Sequence, residues 1–187
     1  NIKNKNISKI KFAKNKTTKN KKAGKEKNYT KLKFKNIYHP SLIDNAIKNN
    51  INIKNNMIIT GPNAAGKTTI IKSIIINLIL SQQIGYGYYD SGEISIYDHI
   101  HCYISIPDSC SRDSLFQSEA RRCKDILDAI NENKDKKHFC IFDELYSGTN
   151  PYEAISAACG YLENLSNNNN VKFILTTHFI RLCKLFI

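Results

Sequence analysis

Residues 57–69 read MIITGPNAAGKTT, an apolar run, a Gly-x-x-x-x-Gly-Lys-Thr turn and the opening of an apolar helix. No other stretch constrains the fold as much. Gly61 and Gly66 let the backbone turn its N–H groups inward, where they can cradle phosphate oxygens. A helix starting near Lys67 adds the positive end of its dipole. The Lys67 ammonium is placed to reach the β- and γ-phosphates of a nucleoside triphosphate, and the Thr68 hydroxyl to complete a Mg2+ shell. The whole loop, Gly61, Pro62, Asn63, Ala64, Ala65, Gly66, Lys67, Thr68 and Thr69, is the expected phosphate-binding element. It requires a buried strand before it and a helix after it, and both are present in the sequence.

The remaining elements extend that unit. Strands are expected over 32–40, 51–54, 57–60, 138–144 and 171–178, with one or two more within 93–106. Helices are expected from Lys67 to about Gln83, over 115–131, from Pro151 onward and after His178. Asn150-Pro151-Tyr152-Glu153 has a capping Asn, a proline suited to the first helical position and a Glu three residues after the cap. Ala154, Ala157, Ala158 and Gly160 suit a helix lying close on a sheet. Strands alternating with helices predict a three-layer α/β P-loop NTPase domain around a mainly parallel sheet.

In such sheets the ligand gathers at the carboxyl ends of the strands. Phe139-Cys140-Ile141-Phe142-Asp143-Glu144 is a buried strand ending in two carboxylates. Asp143 is expected to hold Mg2+ through water, and Glu144 to orient or deprotonate an attacking water. His178 ends the next buried strand, after Leu175-Thr176-Thr177, where its ring can hydrogen-bond a γ-phosphate or that water. Ser114 carries two readings. Ser114-x-x-Gln117 is a capping box whose hydroxyl can simply satisfy helix N–H groups; the same helix N-terminus is also an anion site.

The 187 residues suffice for one domain with a substantial core. The net charge of +12 is uneven: residues 1–35 hold 14 lysines and one acid, so the rest is nearly neutral. Residues 1–31, rich in Lys and Asn, are expected to be a linker or the end of a preceding region, and 32–187 the folded ATPase domain. The lysine run suits nucleic-acid phosphates, but AT-rich codon usage produces the same composition. The chain starts with Asn1 and stops within RLCKLFI, which reads as a fragment of a longer protein. Its six cysteines show no Cys-x-x-Cys pair, consistent with free thiols in a reducing compartment, cytoplasm or nucleus. No signal peptide is visible. The apolar run 69–80, broken by Lys72, Ser73 and Asn77, is too short to span a bilayer, so no membrane partner is expected.

The order GPNAAGKTT, DSLFQSE, CIFDELYSGTNPYEA and LTTHF, with Tyr38-His39-Pro40 upstream, resembles the ATPase domain of the MutS DNA mismatch-repair family, an ABC-type ATPase. The resemblance covers roughly residues 32–187. It implies ATP and Mg2+ as ligands, with Lys67, Thr68, Asp143 and Glu144 in the roles given above and His178 as the γ-phosphate sensor. It further implies that Ser114 reaches the γ-phosphate of a partner subunit's ATP, in a homo- or heterodimer, and that Gly148-Thr149 lie in a loop crossing that interface. DNA, as mismatched duplex, would be gripped mainly by regions outside this chain. Departures from the family pattern are Ala64-Ala65-Gly66-Lys67-Thr68 in place of Met-Gly-Gly-Lys-Ser, Arg112-Asp113 before Ser114-Leu115, and Tyr146-Ser147 in place of Gly-Arg. Gly-Thr-Asn-Pro-x-Glu resembles the MutS branch tied to recombination control and ribosome rescue. A membrane transporter's ATP-binding subunit would carry Leu-Ser-Gly-Gly-Gln, which is absent from this chain.

Overall fold

The structure, a computed structural model, describes residues 7–13, 17–18, 27–28, 30–104 and 114–186. Its strands are β1 (Ser8–Phe12), β2 (Thr17–Thr18), β3 (Lys27–Asn28), β4 (Leu32–Ile37), β5 (Asn49–Ile53), β6 (Met57–Thr60), β7 (Tyr86–Gly87), β8 (Ser91–Ile94), β9 (His99–Tyr103), β10 (His138–Asp143) and β11 (Val171–Thr177). The helices are α1 (Lys67–Ile84), α2 (Leu115–Glu132), α3 (Pro151–Ser166) and α4 (Ile180–Leu185), with a 3-10 turn at Pro40–Asn45. They form two compact units, residues 1–55 with 68–96, and residues 56–67 with 97–187.

The first unit is built on a five-stranded sheet in the order β5-β4-β8-β1-β7, antiparallel except where β1 runs parallel to β8. Strict alternation fixes its faces: Leu32 and Phe34 are buried while Lys33 and Lys35 are exposed, and Ile10 is buried between exposed Lys9 and Lys11. Ser8–Phe12, within the stretch read as a linker or the end of a preceding region, is a strand of this sheet. A single buried isoleucine, flanked by lysines that reach water, is too sparse a signal to read as a strand from composition. Positions 1–6, 14–16, 19–26 and 29 of that stretch lie outside the described residues, as does 105–113, which holds Cys110, Arg112, Asp113 and most of the expected polar loop.

Helix α1 is apolar nearly all round, as a buried helix is. Its Ile71, Ile74, Leu78, Asn77 and Ser81 are wholly buried. Asn77 is the polar exception and it is satisfied: its amide donates to the carbonyls of Tyr38, at 3.0 Å, and Ser73, at 2.9 Å, while its side-chain oxygen accepts from Tyr88 N. Ser81 is likewise paired with the Tyr89 hydroxyl at 2.9 Å.

The second unit carries the four-stranded sheet β6-β11-β10-β9, in which every pairing is parallel. Parallel strands covered on both faces need continuous apolar runs, and His138 through Phe142 are fully buried. Helix α3 presents Ala154, Ala158, Tyr161, Leu162 and Leu165, and α2 presents Cys123, Ile126 and Ile130, to the same core as Phe173 and Leu175. Gly160, expected at the helix–sheet contact, is instead exposed with open space where a side chain would be. Among the described residues no helix is long and apolar enough to cross a membrane. Cys123 and Cys140 are buried, Cys102 is exposed, and Cys159 and Cys183 are half-buried, all as free thiols. Burial pushes the Cys123 thiol up to about 11, far from a reactive thiolate.

Candidate nucleotide site

The register of the parallel sheet brings the second unit's candidate residues to one end. Thr60 pairs with Thr177, and Asp143 with Thr176, so the phosphate-binding loop, the two acids and His178 all leave the sheet at the carboxyl ends of neighbouring strands. The chain then turns sharply. Ala64 (φ 60°), Gly66 (φ 88°), Glu144 (φ 51°) and Tyr146 (φ 58°) all occupy the left-handed region. For residues other than glycine this conformation costs about 1 kcal/mol or more, and it concentrates at functional turns.

Between Pro62 and Gly66 the loop is exposed. Its left-handed residues create the concave array of N–H groups that suits an anion. Lys67, the first residue of α1, is buried at 8 % exposure, and its ammonium donates to the carbonyls of Gly61, at 2.8 Å, and Pro62, at 2.9 Å. Those bonds fold the lysine back over the loop and use two of its three donors. Its charge also faces Glu144, with Nζ 3.7 Å from Oε1. The same carboxylate oxygen lies 3.8 Å from Nδ1 of His178, whose ring is half-exposed and packs on Phe179 at a 4.1 Å centroid distance. Glu144 is thus held between a lysine and a histidine, and its own N–H donates to the Thr176 carbonyl at 3.0 Å. Asp143, the last residue of β10, accepts a short hydrogen bond from the Thr176 hydroxyl. Thr68 and Thr69 follow in the first turn of α1, Thr68 half-buried and Thr69 exposed.

The donor set fits a nucleoside triphosphate with Mg2+. The loop amides and Lys67 suit phosphate oxygens, and a carboxylate and a hydroxyl suit a hard cation. Glu144 and His178 suit the handling of a water or of a terminal phosphate.

Ser114 stands apart from this cluster. It caps α2 in a complete capping box, with Oγ accepting from Gln117 N at 3.3 Å and the Gln117 side-chain oxygen accepting from Ser114 N at 2.9 Å. The structural reading of this serine is therefore realised within the chain. Asn150 caps α3 as expected, accepting from Tyr152 N and Glu153 N at 3.1 Å each, while the Thr149 hydroxyl donates to Glu153.

One residue of the site's surroundings is missing from the sequence reading. Glu119, on the buried face of α2 at 2 % exposure, accepts from Ser147 N, Ser147 Oγ and Gly148 N, each at 3.0 Å. It ties the helix that Ser114 caps to the loop that follows Glu144. Gly148 completes the contact, because a Cβ there would come within 2.9 Å of Leu115 side-chain atoms and of the Phe116 backbone nitrogen. The signal available in sequence was the position of Glu119 four residues before Cys123, on the apolar stripe of α2.

Fold and site together define a P-loop nucleotide-binding domain of the three-layer α/β type. Comparison with known proteins agrees: the profile of MutS domain V matches residues 57–187. The DNA mismatch repair protein MutS of Fusobacterium nucleatum subsp. nucleatum is 35% identical over 163 residues, covering 82% of this chain and 18% of that protein. Endonuclease MutS2 of Streptococcus uberis is 32% identical over 163 residues, 84% of this chain and 20% of that protein. The DNA mismatch repair protein MutS of Pseudothermotoga lettingae is 31% identical over 162 residues, 83% of this chain and 20% of that protein. The chain belongs to the MutS family. It spans about a fifth of the length of these curated relatives.

Proposed function

We propose that this chain is the ATP-binding and ATP-hydrolysing domain of a MutS-type DNA mismatch repair protein, in which ATP-driven dimerisation is coupled to the binding of mismatched DNA by regions outside this chain. The observation that carries the reading is the Glu144 carboxylate standing between Lys67 and His178, beside Asp143, at the open end of a parallel sheet. In this role the loop from Gly61 to Thr69 binds the phosphates, and Lys67 exchanges its bonds to the loop carbonyls for bonds to phosphate oxygens. Asp143 and Thr68 hold Mg2+, which neutralises charge on the phosphate oxygens when bound. Glu144 orients and deprotonates the attacking water, and His178 contacts the γ-phosphate. Ser114 meets the γ-phosphate of ATP in the partner subunit, from the positive end of α2. Gly148 and Thr149 lie at that same dimer interface.

A second reading has a specific support. Endonuclease MutS2 proteins match at nearly the same identity as MutS proteins, and the Gly148-Thr149-Asn150-Pro151-x-Glu153 turn is fully formed. On this reading the same ATPase serves the recombination- or ribosome-associated branch.

The test is ATP turnover by the gene product carrying this chain, with no nucleic acid, with matched duplex and with mismatched duplex, using Glu144→Gln as the blank. A mismatch-dependent rate supports the repair reading. A rate indifferent to duplex, with ATP-dependent ribosome co-sedimentation, moves the assignment to the second. No turnover above the blank under any condition removes both.

A further inference from the structure

We infer that the outward face of the first unit's five-stranded sheet is a docking surface for the sugar–phosphate backbone of duplex DNA. This goes beyond the ATPase reading and does not depend on it.

The inference starts from strand register. One row across the sheet runs Lys11, Glu93, Lys33 and Asn52, on β1, β8, β4 and β5 in turn. The alternation that buries Ile10 and Phe34 places Lys9 and Lys35 on the same outward face, two residues along from Lys11 and Lys33. All four lysines are exposed and border one shallow depression with Ser91 and Glu93. Lysines two residues apart on a strand are about 6.7 Å apart, and the β1 and β4 columns, separated by β8, about 9.5 Å apart. The result is a two-dimensional array of cations on one sheet face.

The acids on this face do not cancel it. Glu93 is already engaged by Lys31 at 2.7 Å, and the hydrogen bond from Lys31, with the charges of Lys11 and Lys33, holds its carboxyl below the usual range. Asp90, at the rim, is taken by Asn36 and by Lys48 at 3.7 Å. Four lysines thus remain over and above the paired charges. Asn50 and Asn52, exposed on β5, add neutral donors suited to phosphate oxygens.

The shape selects the partner. Single-strand binders rely on aromatic platforms on which successive bases stack. Among the described residues one aromatic, Tyr86, borders the array beside Lys9, and the row from Lys11 to Asn52 has none. Lysines in two columns match a duplex, which presents two phosphate strands across a groove, better than the single phosphate track of one strand. Lysine as a flexible point charge positions a backbone without reading sequence.

The experiment is binding of a fluorescein-labelled 20-base-pair duplex to the 187-residue chain, titrated across a salt series without nucleotide. Four neutralised phosphates predict a slope of log affinity against log salt of about −3.6. Replacing the four lysines (Lys9→Gln, Lys11→Gln, Lys33→Gln, Lys35→Gln) should remove most of that slope. The matched control (Lys124→Gln, Lys134→Gln, Lys136→Gln, Lys184→Gln) should leave it. Circular dichroism and ATP binding on the same samples report the fold and the nucleotide site separately from the sheet face. If the quadruple variant is misfolded, Lys9→Gln with Lys35→Gln serves, with an expected change in slope of about 1.8. A sheet variant that keeps the wild-type slope overturns the proposal. So does abolition of binding by Lys14→Gln, Lys16→Gln, Lys19→Gln and Lys21→Gln while the sheet variant still binds. Tighter binding of a 20-nucleotide single strand than of the duplex overturns the choice of partner.

Discussion

The Lys67 ammonium lies 3.7 Å from the Glu144 carboxylate, bridging the first residue of α1 and the turn after β10. Lys67 is buried while Glu144 is partly open to solvent, and the lysine's charge faces two loop carbonyls and one acid. A phosphate entering the loop has to compete for that lysine. Neutralising Glu144 eases this competition, whereas removing Lys67 takes away the cation altogether.

The two substitutions should therefore separate binding from turnover. Glu144→Gln is expected to bind ATP at least as tightly as the wild type and to lower turnover by about 100-fold or more, the usual range for losing a general base. Lys67→Ala is expected to weaken ATP binding by about 10-fold or more. Fluorescent-nucleotide titration and phosphate release measure the two effects. Normal turnover by Glu144→Gln would sink its assignment to the water.

Ser114 has a capping role in its own chain and a proposed one in a partner's site. Loss of the cap in Ser114→Ala should cost about 1 kcal/mol in chemical denaturation. Ser114→Asp, which keeps a capping oxygen, should restore that stability yet still slow turnover at concentrations where dimers form, because it brings a negative charge toward phosphate. Turnover lost equally in demonstrably monomeric samples contradicts a role in trans.

Glu119 makes three hydrogen bonds to Ser147 and Gly148 from a nearly fully buried position. Glu119→Ala leaves two backbone N–H groups without their acceptor, so a loss of about 2–4 kcal/mol is expected. Gly148→Ala should cost about 1–3 kcal/mol by forcing Leu115 or the Phe116 backbone aside. Urea midpoints check both. Hydrogen exchange at Ser147 and Gly148 should rise in Glu119→Ala and distinguish a released loop from global loosening.

Acid should weaken the second unit through His101. His99, His101 and His138 stack at the sheet edge, with His101 Nε2 3.0 Å from His138 Nδ1 and His138 Nε2 3.0 Å from the Asn133 carbonyl. Burial first, then the neighbouring His138, His99 and Arg122, lowers His101 from 6.5 to about 4. The folded state resists a proton that the unfolded state accepts, so stability is lost as pH falls from about 6.5 toward 4. Allowing for screening of a ring that is only partly buried, the loss is about 1–2 kcal/mol. Urea denaturation at pH 7 and pH 4.5 should show it, and His101→Gln, which can still donate to His138, should flatten the dependence. An unchanged pH profile in that variant would contradict the assignment.

The sequence by itself determined the elements whose chemistry is local. A Gly-x-x-x-x-Gly-Lys-Thr turn admits few backbone paths, an unbroken apolar strand predicts a parallel sheet, and Asn150-Pro151 predicts a helix start. Each of these appears in the structure within a residue or two. What only the tertiary structure decided depends on partners far along the chain. Glu119 finds its acceptor role only because α2 turns it inward onto residues 28 and 29 positions away. Ser8–Phe12 becomes a strand only because β8 and β7 flank it, and Gly160 faces away from the sheet because it stands two residues after buried Ala158, about 200° round the helix. The lysines of 9–35 form an array only through strand register, since β1 and β4 meet across a strand that follows them by more than fifty residues. Register and burial are set by long-range packing, which hydrophobic pattern and turn chemistry constrain but do not specify.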